Sequence, residues 1–135
     1  MNLVIDTNIV IAAILKKSVT QDLLFNQNLQ LHAPEFIREE IVKHKKELMK
    51  KAGYGERMFD EIVAILFSRI MVVPYVEYAE FKEKAIAISP DRNDWPFIAL
   101  AIYIDSDIWS NDSDLKNKQD KVKIYKTAEI IKLLG

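Results

Sequence analysis

Four short acidic phrases hold the residues of this chain best suited to chemistry: Val4-Ile5-Asp6-Thr7-Asn8, Arg38-Glu39-Glu40-Ile41, Asp91-Arg92-Asn93-Asp94-Trp95-Pro96 and Trp109-Ser110-Asn111-Asp112-Ser113-Asp114. Each sits at the edge of an apolar run, where folding can gather them. Carboxylates brought into one pocket repel and raise each other's pKa, so the cluster is costly unless a divalent cation fills it. The pattern therefore points to a Mg²⁺ or Mn²⁺ site and to metal-assisted phosphodiester chemistry. Cysteine is absent, which excludes a disulfide framework and a thiolate zinc site. His32 and His44 fall on different predicted elements and are read as structural or surface groups.

Each acid also has a plainer role. Asp6 or Asn8, Asp94 and Asp112 stand where helix N-caps are expected, and a capping Asp contributes about 1 kcal/mol. Glu40 with Lys43 has the spacing of an ordinary pair on a helix face. Caps and surface pairs do not, however, account for this set of phrases in this order.

The elements that must position these acids can be read from periodicity. Leu3-Val4-Ile5 reads as a buried strand followed by an apolar helix from Ile9 to Leu15, and Thr20 as the cap of a second helix. Gln30 to Ala33 reads as a strand. Pro34 then opens a long helix carrying Phe36, Ile37, Ile41 and Leu48, which ends before Gly53 and Gly55. Met58 to Arg69 has helical spacing, so residues 43–68 form a lysine-rich helical hairpin. Strands are expected at 70–73, 108–109 and 122–125, and helices at 78–88, 94–104 and 112–118, with Thr127 capping a last helix through Leu134. Alternating strands and helices imply one α/β domain over residues 1–135, a three-layer α/β/α sandwich with a mainly parallel sheet. Ligands of such sheets bind beyond the carboxyl ends of the strands, where Asp6 and Asp112 fall.

With 50% hydrophobic and 29% charged residues the 135-residue chain is globular rather than disordered. No apolar run approaches the roughly 20 residues of a membrane span, and no apolar leader is evident, so a soluble, cytoplasmic protein is expected. The net charge of −1 hides an asymmetry. Residues 54–115 carry 5 basic and 12 acidic groups, whereas residues 116–135 carry 6 basic and 2 acidic. Basic flanks around an acidic centre suit an enzyme acting on a polyanion. The lysines nearest the acids are Lys43, Lys45 and Lys46, and Lys116 and Lys118. Trp95, Trp109, Tyr103 and Tyr125 lie in or beside apolar runs and are read as core rather than as base-stacking platforms.

The ordered set of phrases resembles the PIN domain family of metal-dependent nucleases, which includes VapC-type toxins of toxin–antitoxin operons. Val4-Ile5-Asp6-Thr7-Asn8-Ile9 is similar to the family's opening motif, Asp94-Trp95-Pro96-Phe97-Ile98-Ala99-Leu100-Ala101 to its third, and Ser110-Asn111-Asp112-Ser113-Asp114-Leu115 to its fourth. In the second, Glu40-Ile41 fits the pattern of an acid before an aliphatic residue better than Glu39-Glu40. The resemblance implies that Asp6, Glu40, Asp94 and Asp112 act in catalysis and, with Asp114, hold Mg²⁺ or Mn²⁺, with Asn8 and Ser110 supporting them. It also implies single-stranded RNA as substrate, RNA being preferred over DNA on the family's account alone, and a possible antitoxin as partner. The alternative is a PIN-like domain that binds RNA or protein without cutting. A homodimer is expected from Phe59, Phe67, Tyr78 and Phe81 on a half-covered hairpin.

Overall fold

The structure, a computed structural model, describes residues 1–135. Side-chain alternation along β1 (Asn2–Ile5) decides its layers. Leu3 and Ile5 enter one apolar core and Val4 the opposite one, all fully buried, so both faces of the strand must be covered. The same alternation separates Ile108 from Trp109 in β4 (Asp107–Trp109).

β1 pairs in parallel with β2 (Gln30–Pro34) on one side and with β4 on the other. With β3 (Ile70–Val73) and β5 (Ile124–Tyr125) the sheet is five-stranded, all parallel, in the order β3-β2-β1-β4-β5. The chain leaves β1 toward one edge and returns past it to β4. That reversal opens a crevice beyond the ends of β1 and β4.

One face carries α1 (Thr7–Leu15), α2 (Val19–Leu24), α3 (Phe36–Lys43), α4 (Lys45–Ala52), α5 (Glu56–Phe67) and α10 (Thr127–Leu134). The other carries α6 (Tyr75–Tyr78), α7 (Lys82–Ile88), α8 (Trp95–Tyr103) and α9 (Ser113–Asn117). Residues 96–101 of α8 are all buried, as a helix apolar around most of its circumference must be. The expected α/β/α sandwich and helical hairpin are both present. Between α4 and α5, Gly53 sits at φ 74, the left-handed conformation glycine adopts without steric cost.

Several boundaries differ from the sequence expectation. The long helix bends at His44 (φ −100, ψ 9) and is two helices. The polar run Lys43-His44-Lys45-Lys46 has no apolar side chain to hold a straight turn against the core, whereas Ile41 and Leu48 on either side are buried. Pro34 ends β2, paired with Val73, rather than opening α3. The residues 78–88 form α6, a 3₁₀ turn and α7 rather than one helix. The last strand keeps only Ile124–Tyr125. α2 starts at Val19, one residue before the expected cap Thr20.

Thr127 does not cap α10. Glu129 accepts the Lys126 N–H at 3.0 Å, and the Thr127 hydroxyl instead accepts the Trp109 indole N–H at 3.0 Å. Of the rings expected to drive dimerisation, Phe59 and Tyr78 are buried and Phe67 and Phe81 are half-buried. The exposed apolar side chains are others, Val42, Met58 and Ile65 among them.

Candidate metal centre

Strand ends and helix starts bring the acids together. Asp6 follows β1 directly, Asp112 lies three residues beyond β4, Asp94 precedes α8, and Glu40 lies midway along α3. All four line one cleft of about 150 Å³, with Thr7, Asn8, Asn93 and His44. Glu39, one residue from Glu40, is exposed and faces a neighbouring recess, as the roughly 100° rotation per helical residue requires. Glu40 is thus the second-phrase acid that shares a cleft with the others. Asp114 does not line it; it is exposed, and its carboxylate stands 3.4 Å from Lys118.

The capping role holds for two of the acids. Asp6 accepts the Ile9 N–H at 3.0 Å, and Asp112 accepts the N–H groups of Asp114 and Leu115 at 2.9 and 3.2 Å. These capping bonds all go to the Oδ1 oxygens, so Oδ2 takes part in none of them. Asp94 occupies the N-cap position of α8 but makes no capping bond. In its phrase Asp91 instead caps the 3₁₀ turn Arg92–Asp94, accepting the Asn93 N–H at 2.9 Å. Glu40 and Lys43 form no ion pair. Asp94 and Glu40 therefore serve no local structural purpose.

The electrostatics follow from burial without cations. Desolvation, then the negative charges of Asp91, Asp112, Asp6 and Glu40, push the Asp94 carboxyl up to about 6. Burial also raises Asp6, and Asp112 adds to the rise; hydrogen bonds from the Ser110 hydroxyl and the Ile9 N–H oppose it. Ser110 is fully buried and accepts the Asp112 N–H at 3.0 Å, so it joins two of the acids. The Thr7 hydroxyl, also in the cleft, is buried without a partner.

This donor set fits a hard divalent cation. All its first candidates are oxygens, and an unpartnered hydroxyl and mutually repelling carboxylates await a positive charge. No group of three or more carboxylates or imidazoles forms a ready-made metal cage here.

Three cleft residues had no functional role in the sequence reading: Thr7 and Asn93, known only as neighbours of acids, and His44, read as a structural or surface group. His44 arrives there through the bend between α3 and α4, which no glycine or proline announces. Asn93 lies beside Asp94, and only its place next to an acid marked it. The lysines divide too. Lys43 borders the acids in a groove with Glu39, Glu40 and Asn93. Lys45 is held by Asp60 at 2.9 Å, and Lys116 by Glu129 at 2.6 Å and the Ile124 carbonyl at 2.9 Å.

A family model described as PIN domain matches residues 4–130. Among solved structures the chain is similar to the crystal structure of VapBC2 from Rickettsia felis bound to a DNA fragment from their promoter, with a TM-score of 0.68. Identity there is 16%, over 93% of this chain and 98% of that one, so the likeness is one of fold. No curated protein matches at a significant level. With the family model spanning nearly its whole length, and the acids of its motifs lining one cleft, the chain belongs to the PIN domain family.

Proposed function

We propose that this protein is a Mg²⁺- or Mn²⁺-dependent endoribonuclease that hydrolyses phosphodiester bonds of single-stranded RNA, and that it serves as the toxin of a toxin–antitoxin pair in the cytoplasm. PIN domains are in general nucleases, which supports the reaction class. The observation that carries the reading is Asp94: a half-buried carboxyl that caps nothing, pairs with no cation and is pushed up to about 6 in a cleft with three further acids. A domain that only bound RNA or protein would gain nothing from that repulsion.

Asp6, Glu40, Asp94 and Asp112 would hold the ion. When bound, the metal supplies an activated water and neutralises charge on the scissile phosphate. The side chains do the rest. Asp6 and Asp112 are fixed by their caps, so their Oδ2 oxygens are oriented before any ion arrives. Asp94, near 6, releases its proton as pH approaches neutrality and completes the anionic set. Lys43 stands where it can meet a phosphate flanking the cut. Nothing in the cleft selects a 2′-hydroxyl, so the choice of RNA follows the family.

No helix is long and apolar enough to cross a membrane, which is compatible with a cytoplasmic site of action. The likeness to VapBC2 supports an antitoxin partner. A homodimer remains part of the proposal, now on exposed Val42, Met58 and Ile65 rather than on the buried rings.

The test is incubation of end-labelled single-stranded RNA and DNA with the protein in EDTA, Mg²⁺ and Mn²⁺. Internal cleavage of RNA that needs metal and disappears in Asp94→Asn supports the proposal. RNA binding without cleavage in any metal would replace it with the binding-module alternative.

A further inference from the structure

Beside the acidic cleft lies a recess of about 370 Å³ that the metal chemistry does not use. Its wall is aromatic. The Tyr75 ring lies 5.7 Å from Tyr78 and 6.0 Å from Trp95, edge-on to both, and Tyr78 lies 6.0 Å from Trp95. Tyr78 is buried, but Tyr75 is 45% exposed and Trp95 is half-buried. The core does not require Tyr75. Edge-on packing leaves ring faces uncovered, and the turn presenting Tyr75 is held by its own N–H donating to Glu35 at 3.1 Å.

The recess adjoins the cleft. Asn93 lines both, and a groove formed by Phe36, Glu39, Glu40, Lys43 and Asn93 joins them. Charge sorts what can enter. The recess carries Glu35 and Glu39, and Glu39 has no cationic partner, so a phosphate is repelled there. Lys43 lines the groove beside it instead, where a backbone would pass, whereas Lys82 lies over the Trp95 ring, 5.0 Å from its centre, and covers one of its faces.

We infer that this recess binds one unpaired guanine base of the strand whose phosphodiester lies in the acidic cleft. The inference deepens the nuclease proposal and rests on it for the placement of the strand. A base offers a π face to the exposed Tyr75 ring, with Trp95 beside it, and stacking of this kind accepts any base. The edge chooses. Carboxylates only accept, and guanine alone presents two adjacent N–H donors, N1–H and the N2 amino group, on one edge. Uracil flanks its single N–H with carbonyls that a carboxylate repels. Adenine and cytosine each set an acceptor beside the amino group. Asn93, with both a donor and an acceptor, stands at the passage between base and phosphate.

The experiment uses labelled octaribonucleotides in EDTA, so that no cutting occurs, with anisotropy and tryptophan fluorescence as readouts. Trp109 is fully buried, so quenching on binding reports Trp95. A uridine strand containing one guanosine should quench and bind about 5- to 100-fold more tightly than the same strand with an abasic site at that position. Tyr75→Ala should erase that difference, and Glu39→Gln should keep stacking but lose the preference for guanine over adenine. Equal binding of guanine-containing and abasic strands, or an unchanged preference in both variants, overturns the inference. Cleavage in Mn²⁺ that ignores base identity and Tyr75→Ala overturns it too, and leaves the nuclease standing. Guanine-dependent quenching with no cleavage in any metal supports the recess and overturns the nuclease proposal instead.

Discussion

At the crevice between β1 and β4 the buried Ser110 hydroxyl accepts the Asp112 N–H at 3.0 Å and, as a neighbour of Asp6, favours the ionised form of that carboxyl. One uncharged side chain thus steadies two like charges. Ser110→Ala should cost about 1–2 kcal/mol of stability, because Asp112 N–H loses its partner, and should weaken Mn²⁺ binding about 10-fold as Asp112 loses the support that positions it. Denaturant unfolding and calorimetric titration would measure the two losses. Unchanged Mn²⁺ affinity would show that the acids are positioned without it.

Asp94 gives a pH signature. Its folded pKa, about 6, lies above the ordinary 3.8, so the native state holds this proton more tightly than the unfolded chain. Its contribution is therefore most favourable below about 3.8 and is lost as pH rises through about 6. Without metal, Asp94→Asn should gain on the wild type between those values and hold a constant advantage at higher pH. Unfolding curves at pH 4, 5, 6 and 7 in EDTA would show it. A pH-independent difference would mean that Asp94 is not in a repulsive cluster.

Metal should reverse that penalty. Excess Mn²⁺ is expected to raise Tm in proportion to the logarithm of its concentration over Kd, and Asp94→Asn should abolish the rise. Asp6→Asn should also abolish it while retaining the fold, because Asn still accepts the Ile9 N–H. Asp6→Ala, which loses the cap as well, should cost about 1 kcal/mol. Thermal scans across millimolar Mn²⁺ decide this, and a flat response in the wild type counts against the centre.

The motif-bearing residues were legible because their spacing reports strand ends, and a parallel sheet places strand ends together. Asp6 and Asp112 needed only that rule. Glu40 over Glu39 followed from the aliphatic Ile41 beside it, which is buried and fixes the helix's rotation. His44 was illegible, since it enters the cleft through a bend set by packing on both sides rather than by any residue at the bend. Thr127 misled because a threonine before a helix has two acceptable partners, and the indole of Trp109 took it. Phe59 and Tyr78 were assigned to the surface because the depth at which a hairpin docks depends on contacts far along the chain.

The lysines separate by what already holds them. Lys43→Gln should weaken RNA binding and lower its salt slope by about one counterion, since this ammonium borders the acids and has no ion-pair partner. Lys116→Gln should instead lower stability and leave the slope alone, because its ammonium is bound to Glu129 and the Ile124 carbonyl. Binding measured from 50 to 300 mM salt distinguishes them, and equal slopes for both variants would deny the distinction.

The bonds from α10 to the segment around Asp112 have a consequence for when the cleft exists at all. Thr127 takes the indole of Trp109 and gives its N–H to Asn111 at 2.9 Å; Lys126 reaches Ser113 at 3.1 Å, and Glu129 grips Lys116. Ile130 meanwhile belongs to the same apolar core as Ile5 and Trp109. Residues 127–134 must therefore leave the ribosome before the segment around Asp112 gains these bonds from α10. A growing chain, surrounded by the RNA that encodes and assembles it, carries three of its acids long before the fourth is locked in place. Under the proposed nuclease function, the order of synthesis would keep the unfinished molecule from cutting the RNA that makes it.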